Sequence, residues 1–116
     1  MQKFEFFKNL MVLAASDGSF TDEEIAFLAQ RSARWGISDT QFGEAMKFAI
    51  SPDAHVSIPP TKLERHQLLM EMVRMMAVDG DLAEIEKNIF AVAAATMQVS
   101  DDELNDILNS VLTPKK

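Results

Sequence analysis

The 116-residue chain has no cysteine, no excess of basic residues and no apolar run long enough to cross a membrane. The lack of cysteine excludes disulfides, thiolate zinc sites and cysteine nucleophiles, and it permits a reducing compartment. The formal charge of −7 at pH 7 works against binding to nucleic acid, because phosphates require a basic protein face. Cations or basic partners are the natural counterparts of such a chain.

Apolar runs are short throughout the chain. No segment approaches the roughly 20 apolar residues of a membrane-spanning helix. The N-terminal stretch has a basic start, but its longest apolar run, residues 10–15, is shorter than the ~7 residues that a secretory signal needs. This stretch is therefore predicted to be a helix of the folded domain.

What the chain does contain is an internal repeat. An offset of 62 positions superimposes an acidic motif on a second copy, Asp17 on Asp79, Gly18 on Gly80 and Glu24 on Glu86. The register holds without a gap beyond the motif. Such a repeat indicates that each copy forms one structural unit and buries its apolar face against the other.

Helical periodicity runs through both copies. Apolar residues recur three and four positions apart, and no segment shows the sustained alternation of a strand. Ser or Thr caps open the helical segments, while glycine or proline closes several of them. We predict an all-α single domain, residues 1–116, of about six helices in two pseudo-symmetric three-helix repeats. The repeats are expected at about 4–50 and 61–112, joined by a proline-rich connector at 51–60.

The fourth helix is the most apolar segment, and with the first helix it is predicted to form the centre of the core. It is expected to end near Val78, and the first helix near Ser16. Its charged residues Glu71 and Arg74 are three apart, which predicts an ion pair, with an anion pocket around Arg74 as the alternative. Four methionines share this helix: Met70, Met72, Met75 and Met76. Their helical spacing favours core packing over a partner surface.

The repeated acidic motif has the chemistry of half a cation site. It reads D-G-x-φ-x-x-x-E, where φ is apolar, and it matches the second half of an EF-hand loop, with its turn glycine and closing glutamate. The first half is missing, because Leu13 and Ala15 stand at its ligand positions in one copy, and Met75 and Ala77 in the other. A self-contained EF-hand in either repeat is therefore not expected.

A cation site shared between the repeats is one interpretation. If the first and fourth helices pack across a pseudo-twofold axis, the two turns approach each other and assemble four carboxylates. Like charges about 4 Å apart repel by roughly 4 kcal/mol at an effective dielectric near 20, and a divalent cation relieves this repulsion. Oxygen ligands select calcium, magnesium or manganese over zinc. The predicted metal ligands are Asp17, Glu24, Asp79 and Glu86.

The alternative interpretation gives these acids a structural role. Glu24 completes a capping box with Thr21, and the two aspartates shape turns beside their glycines. In the second repeat the equivalent cap position is Ala83, so capping accounts less well for Glu86. With structural acids, the domain would function by docking another protein and would bind no metal.

The paired motif resembles that of the tellurite-resistance TerB-like family. In that family an aDG…E motif recurs in both halves of an all-helical domain, which also occurs at the N-terminus of a membrane-anchored DnaJ-type co-chaperone. The matching residues are Ala15-Ser16-Asp17-Gly18 through Glu24 and Ala77-Val78-Asp79-Gly80 through Glu86. The resemblance covers about residues 4–112.

The resemblance implies a non-enzymatic bacterial domain whose paired acids bind metal and which takes part in metal or oxyanion stress responses. It implies a cytoplasmic location, with a peripheral position at the inner membrane, beside a protein partner, as a further option. The chain contains no J-domain and no transmembrane anchor, so a co-chaperone role of this polypeptide is not expected.

Catalytic motifs are missing from the sequence. There is no nucleophile elbow, phosphate loop or dinucleotide fingerprint. His55 and His66 lack the paired spacing of a metal or catalytic site. No enzyme activity and no organic cofactor are predicted.

Overall fold

The described residues of the chain form six α-helices and one short 3-10 helix. The computed structural model describes residues 1–17, 21–78 and 84–112, apart from the side chains of Asp17, Ile85 and Leu112. Its helices are α1 (Lys3–Ala14), α2 (Asp22–Arg34), α3 (Asp39–Ala49), α4 (Lys62–Met76), α5 (Glu84–Thr96) and α6 (Asp101–Leu112), and a short 3-10 helix (Ala15–Asp17) follows α1. The predicted all-α class is confirmed, since these residues include no strand.

Capping boxes form at the starts of α2 and α3, and the box predicted between Thr21 and Glu24 is confirmed. The Thr21 hydroxyl accepts the Glu24 N–H at 3.1 Å, and the Glu24 carboxylate accepts the Thr21 N–H at 2.9 Å. Ser38 and Gln41 make the same reciprocal pair at 3.1 and 3.0 Å. Each box satisfies amides that a helix start leaves without a partner, and losing the cap costs about 1 kcal/mol.

The helix boundaries recur at the offset seen in the sequence. α2 and α5 cover equivalent residues, α1 and α4 end at equivalent residues, and α3 and α6 begin at equivalent residues. The C-terminal turns also match, because the Ile37 N–H donates to the Ser32 carbonyl at 2.8 Å and the Val99 N–H to the Ala94 carbonyl at 2.9 Å. Local structure therefore repeats with the sequence, whereas a pseudo-twofold axis between the repeats stays a prediction.

The first and fourth helices end two residues earlier than predicted. α1 gives way after Ala14 to the 3-10 helix, which satisfies carbonyls of the last turn by tighter hydrogen bonds. α4 ends at Met76, where Ala77 and Val78 form a turn. The glycines expected to stop these helices, Gly18 and Gly80, lie outside the described residues.

The centre of the core consists of α1 and α4, as predicted. α4 contacts α1, α2, α5 and α6, and its buried side chains are Leu68, Leu69, Met72, Val73, Met75 and Met76. The methionines therefore pack in the core, with Met70 half-buried at its edge. Full burial of such a side chain contributes roughly 1.5–3 kcal/mol. Although both helices are apolar, no helix among the described residues is long and apolar enough to span a membrane.

A buried asparagine anchors the proline-rich connector to α1. Asn9 is 2% exposed; its Nδ2 donates to the Ser57 carbonyl at 2.7 Å, and its Oδ1 accepts the Ser57 N–H at 2.8 Å. Pro59, two residues further on, is fully buried. The connector is thus held against α1 by two hydrogen bonds between the buried Asn9 side chain and the Ser57 backbone.

Candidate functional site

Glu24 is a nearly buried carboxylate in the first turn of α2. Its exposed fraction is 4%, and its Oε1 accepts the Thr21 N–H. The capping role predicted for this acid is therefore confirmed. This hydrogen bond uses one of the two oxygens of the carboxylate. Low exposure also means that water screens a nearby cation only weakly.

The acid-bearing turn of the first repeat lies against the helix that carries Glu86. The 3-10 helix Ala15–Asp17 contacts α5. Ser16 and Asn88 line one groove, and these residues neighbour Asp17 and Glu86 in sequence. Glu86 is half-buried near the start of α5. The fold therefore brings the turn of one repeat against the helix that carries the closing glutamate of the other.

Two of the predicted metal ligands lie outside the part of the chain that the structure describes: the side chain of Asp17 and the whole of Asp79. Among the side chains that are described, no three or more His, Cys, Asp or Glu residues form a group that could hold a metal ion. Glu24 and Glu86 both engage in interactions. A site made by all four acids stays a prediction.

A charge cluster between α2 and α4 was predicted only in part. Glu71 accepts from Arg31 Nε at 2.5 Å and from Arg74 Nη1 at 3.0 Å. The predicted Glu71–Arg74 pair is confirmed, and Arg31, from the other repeat, was missed. The side chains of Arg31 and Glu71 are 11% and 12% exposed. One feature of the sequence indicates that Arg31 is buried: it follows Phe27 by four residues and so lies on the same buried face of α2.

A second cluster joins the starts of α4 and α6. Glu103 lies 3.0 Å from Lys62 Nζ and 2.6 Å from His66 Nε2. Hydrogen bonds from Lys62 first, and then from His66, lower the pKa of Glu103 below its usual 4.5. His66 is thus a half-buried residue of α4 that contacts α6 through Glu103. His55 lies in the connector with its ring edge-on to Phe48.

No family model, curated protein or solved structure matches this chain. The TerB-like resemblance therefore stays a prediction that rests on the paired motif and its helical frame.

Proposed function

We propose that this chain is a non-enzymatic TerB-like domain that binds a divalent cation, calcium, magnesium or manganese, through Asp17, Glu24, Asp79 and Glu86. Its proposed role is a bacterial response to metal or oxyanion stress in the cytoplasm, with a protein partner at the inner membrane. The observation that supports cation binding is the contact between the 3-10 helix Ala15–Asp17 and α5.

This contact joins two segments that carry complementary halves of the repeated motif. Each motif begins with an aspartate before the turn and ends with a glutamate in the next helix. The contact lays the aspartate-bearing turn of the first repeat against the glutamate-bearing helix of the second. Each motif alone lacks the first ligands of an EF-hand loop, and an exchange between repeats would supply oxygen atoms from the partner motif.

Electrostatics support the same proposal. A net charge of −7 attracts cations to the molecule as a whole. The 4% exposure of Glu24 places one predicted ligand where solvent screening is weak. Carboxylate oxygens favour hard ions, which separates calcium, magnesium and manganese from zinc.

An NMR titration with each ion tests the proposal. Binding is expected to shift the backbone signals of residues 15–17 and 84–88 saturably, and to stabilise the fold by about 2.7 kcal/mol at a hundredfold excess over Kd. The double variant Asp17→Asn, Asp79→Asn should lose this response. The matched control is Asp39→Asn, Asp101→Asn, which changes the same charge at the equivalent first residues of α3 and α6. The absence of any saturable shift at millimolar ion concentrations would falsify the proposal.

A protein-interaction module with structural acids is the second candidate function. The observation that favours it is an apolar groove of about 570 Å³ between the end of α1, the connector and α5. Val92 lines this groove and is 66% exposed. A pull-down that recovers a partner equally well with and without chelator would favour this function over cation binding. Val92→Asp should abolish recovery of that partner, whereas Ala91→Asp on the same helix should not.

A further inference from the structure

A pocket of about 410 Å³ lies between the start of α1, the end of α2 and the middle of α4. Its apolar wall includes Phe6, Trp35 and Met70. The rings of Phe6 and Trp35 meet edge to face with centroids 5.4 Å apart. The volume falls within the roughly 300–1,000 Å³ of small-molecule sites. Lys3 at its rim lies about 20 Å along the helix axis from the 3-10 helix that ends at Asp17.

The acidic side chains at the rim already have cationic or hydroxyl partners. Both oxygens of Glu71 accept from the arginines of the charge cluster described above. Glu64 accepts from the Thr61 hydroxyl at 2.8 Å through one oxygen and lies 2.6 Å from the amino group of Met1 through the other. These acids therefore do not present unneutralised negative charge to a ligand.

The basic side chains at the rim keep unused donors. Lys3 has no ion pair among the described residues, and Arg74 uses only Nη1 toward Glu71, so its other N–H groups are available. Arg74 is 44% exposed in its side chain. Lys3 is also the first residue of α1, where the helix dipole adds positive potential. The pocket thus combines an apolar wall with two cations that can both reach a ligand.

We propose that this pocket binds a small organic carboxylate that carries an aromatic or similarly bulky apolar group. The apolar group would pack on Phe6, Trp35 and Met70, and the carboxylate would pair with Lys3 and Arg74. Charge-assisted hydrogen bonds from two cations distinguish a carboxylate from a neutral analogue. Because the chain carries a net charge of −7, an anion without an apolar group gains little from approaching this surface.

The single tryptophan of the chain makes the test direct, since Trp35 fluorescence reports on the pocket wall. The probe is 4-phenylbutyrate, and the control is its neutral amide, 4-phenylbutanamide. Saturable quenching by the carboxylate is expected, together with NMR shifts at Phe6 and Met70. The amide should bind at least about fivefold more weakly, because it lacks the charge-assisted hydrogen bonds.

Charge-neutralising variants locate the carboxylate. Lys3→Gln should weaken carboxylate binding by about fivefold or more and leave amide binding unchanged. Lys47→Gln, an exposed lysine of α3 outside the pocket, is the matched control and should change neither. The cation-site variant Asp17→Asn, Asp79→Asn should keep carboxylate binding, so the two proposals succeed or fail separately. Equal affinities for acid and amide, an equal effect of the two lysine variants, or no saturation by ~10 mM probe would each overturn the inference.

Discussion

Gly36 and Gln98 occupy equivalent positions after α2 and α5, and both adopt a left-handed backbone, with φ of 70° and 59°. Glycine tolerates this conformation, whereas a residue with a Cβ is disfavoured there by about 1 kcal/mol. Gln98 keeps this left-handed conformation because both of its neighbours are packed in the core: Met97 is 1% exposed and Val99 is 8% exposed. Core packing of its neighbours imposes on the second repeat a turn that glycine permits in the first.

Replacing Gln98 by glycine should therefore stabilise the protein. We expect Gln98→Gly to raise the free energy of unfolding by about 0.5–1 kcal/mol in urea denaturation. Gly36→Ala should lower it by about 1 kcal/mol through backbone strain alone, since a Cβ there meets no neighbouring atom. The control is Gln30→Gly inside α2, which should cost about 0.5–1 kcal/mol. A loss for Gln98→Gly equal to that of the control would contradict this account.

Breaking the pair between Arg31 and Glu71 should destabilise the fold strongly. Glu71→Leu leaves the poorly exposed charge of Arg31 uncompensated and should cost about 2–4 kcal/mol, whereas Arg31→Met should cost less, because Glu71 keeps its ion pair with Arg74. The double variant should lose less than the sum of the single variants, because no unpaired charge of the pair remains. Arg74→Gln is the comparison, with an expected loss below about 1 kcal/mol because Arg74 is half exposed. Strict additivity would show that the two residues do not interact.

The anchor between Asn9 and Ser57 should contribute measurably to stability. Asn9→Ala removes both hydrogen-bond partners of the Ser57 backbone and truncates a side chain that is 2% exposed, with an expected cost of about 1–3 kcal/mol. Asn105→Ala, on the exposed side of α6, should change the free energy of unfolding by less than about 0.5 kcal/mol. Thermal melts and hydrogen exchange of residues 54–58 measure both effects. Unchanged exchange in that segment with Asn9→Ala would argue against an anchoring role.

The ion pairs of Glu103 should make the stability of the fold depend on pH in the acid range. Its pKa is lowered in the folded protein by Lys62 and His66, so its interaction stabilises the fold above the unfolded pKa and is lost as pH falls through the folded pKa. The wild type should therefore melt higher than Glu103→Gln at pH values above the ordinary glutamate pKa of 4.5, and the difference should shrink as the pH falls below that value. Glu44→Gln, an exposed acid of α3, serves as the control. A difference that is constant with pH would rule out this linkage.

Glu24→Gln separates the structural role of this acid from its proposed metal role. Glutamine can close the box with Thr21, just as Gln41 does with Ser38 in this chain. The variant should keep the free energy of unfolding within about 1 kcal/mol of wild type without metal, because the cap survives. It should weaken the ion-induced NMR shifts, because the charge is gone. An unaltered metal response would remove Glu24 from the ligand set.

The local features of this protein followed from the sequence. Helix starts at Thr21 and Ser38, the apolar character of α4 and the repeat of the acidic motif depend on residues a few positions apart or on direct comparison of the copies. Caps and helical stripes involve neighbours within about four residues, whose geometry any α-helix supplies. The candidate acids were identified in the same way, from motif spacing alone.

Tertiary structure decided which distant residues meet. Arg31 and Glu71 are 40 positions apart and Asn9 and Ser57 are 48 apart, and periodicity predicts neither pair. The contact of the 3-10 helix with α5 and the pocket beside Trp35 likewise depend on how the helices pack together. Helix packing angles come from the fit of whole side-chain surfaces, which a one-dimensional pattern does not specify.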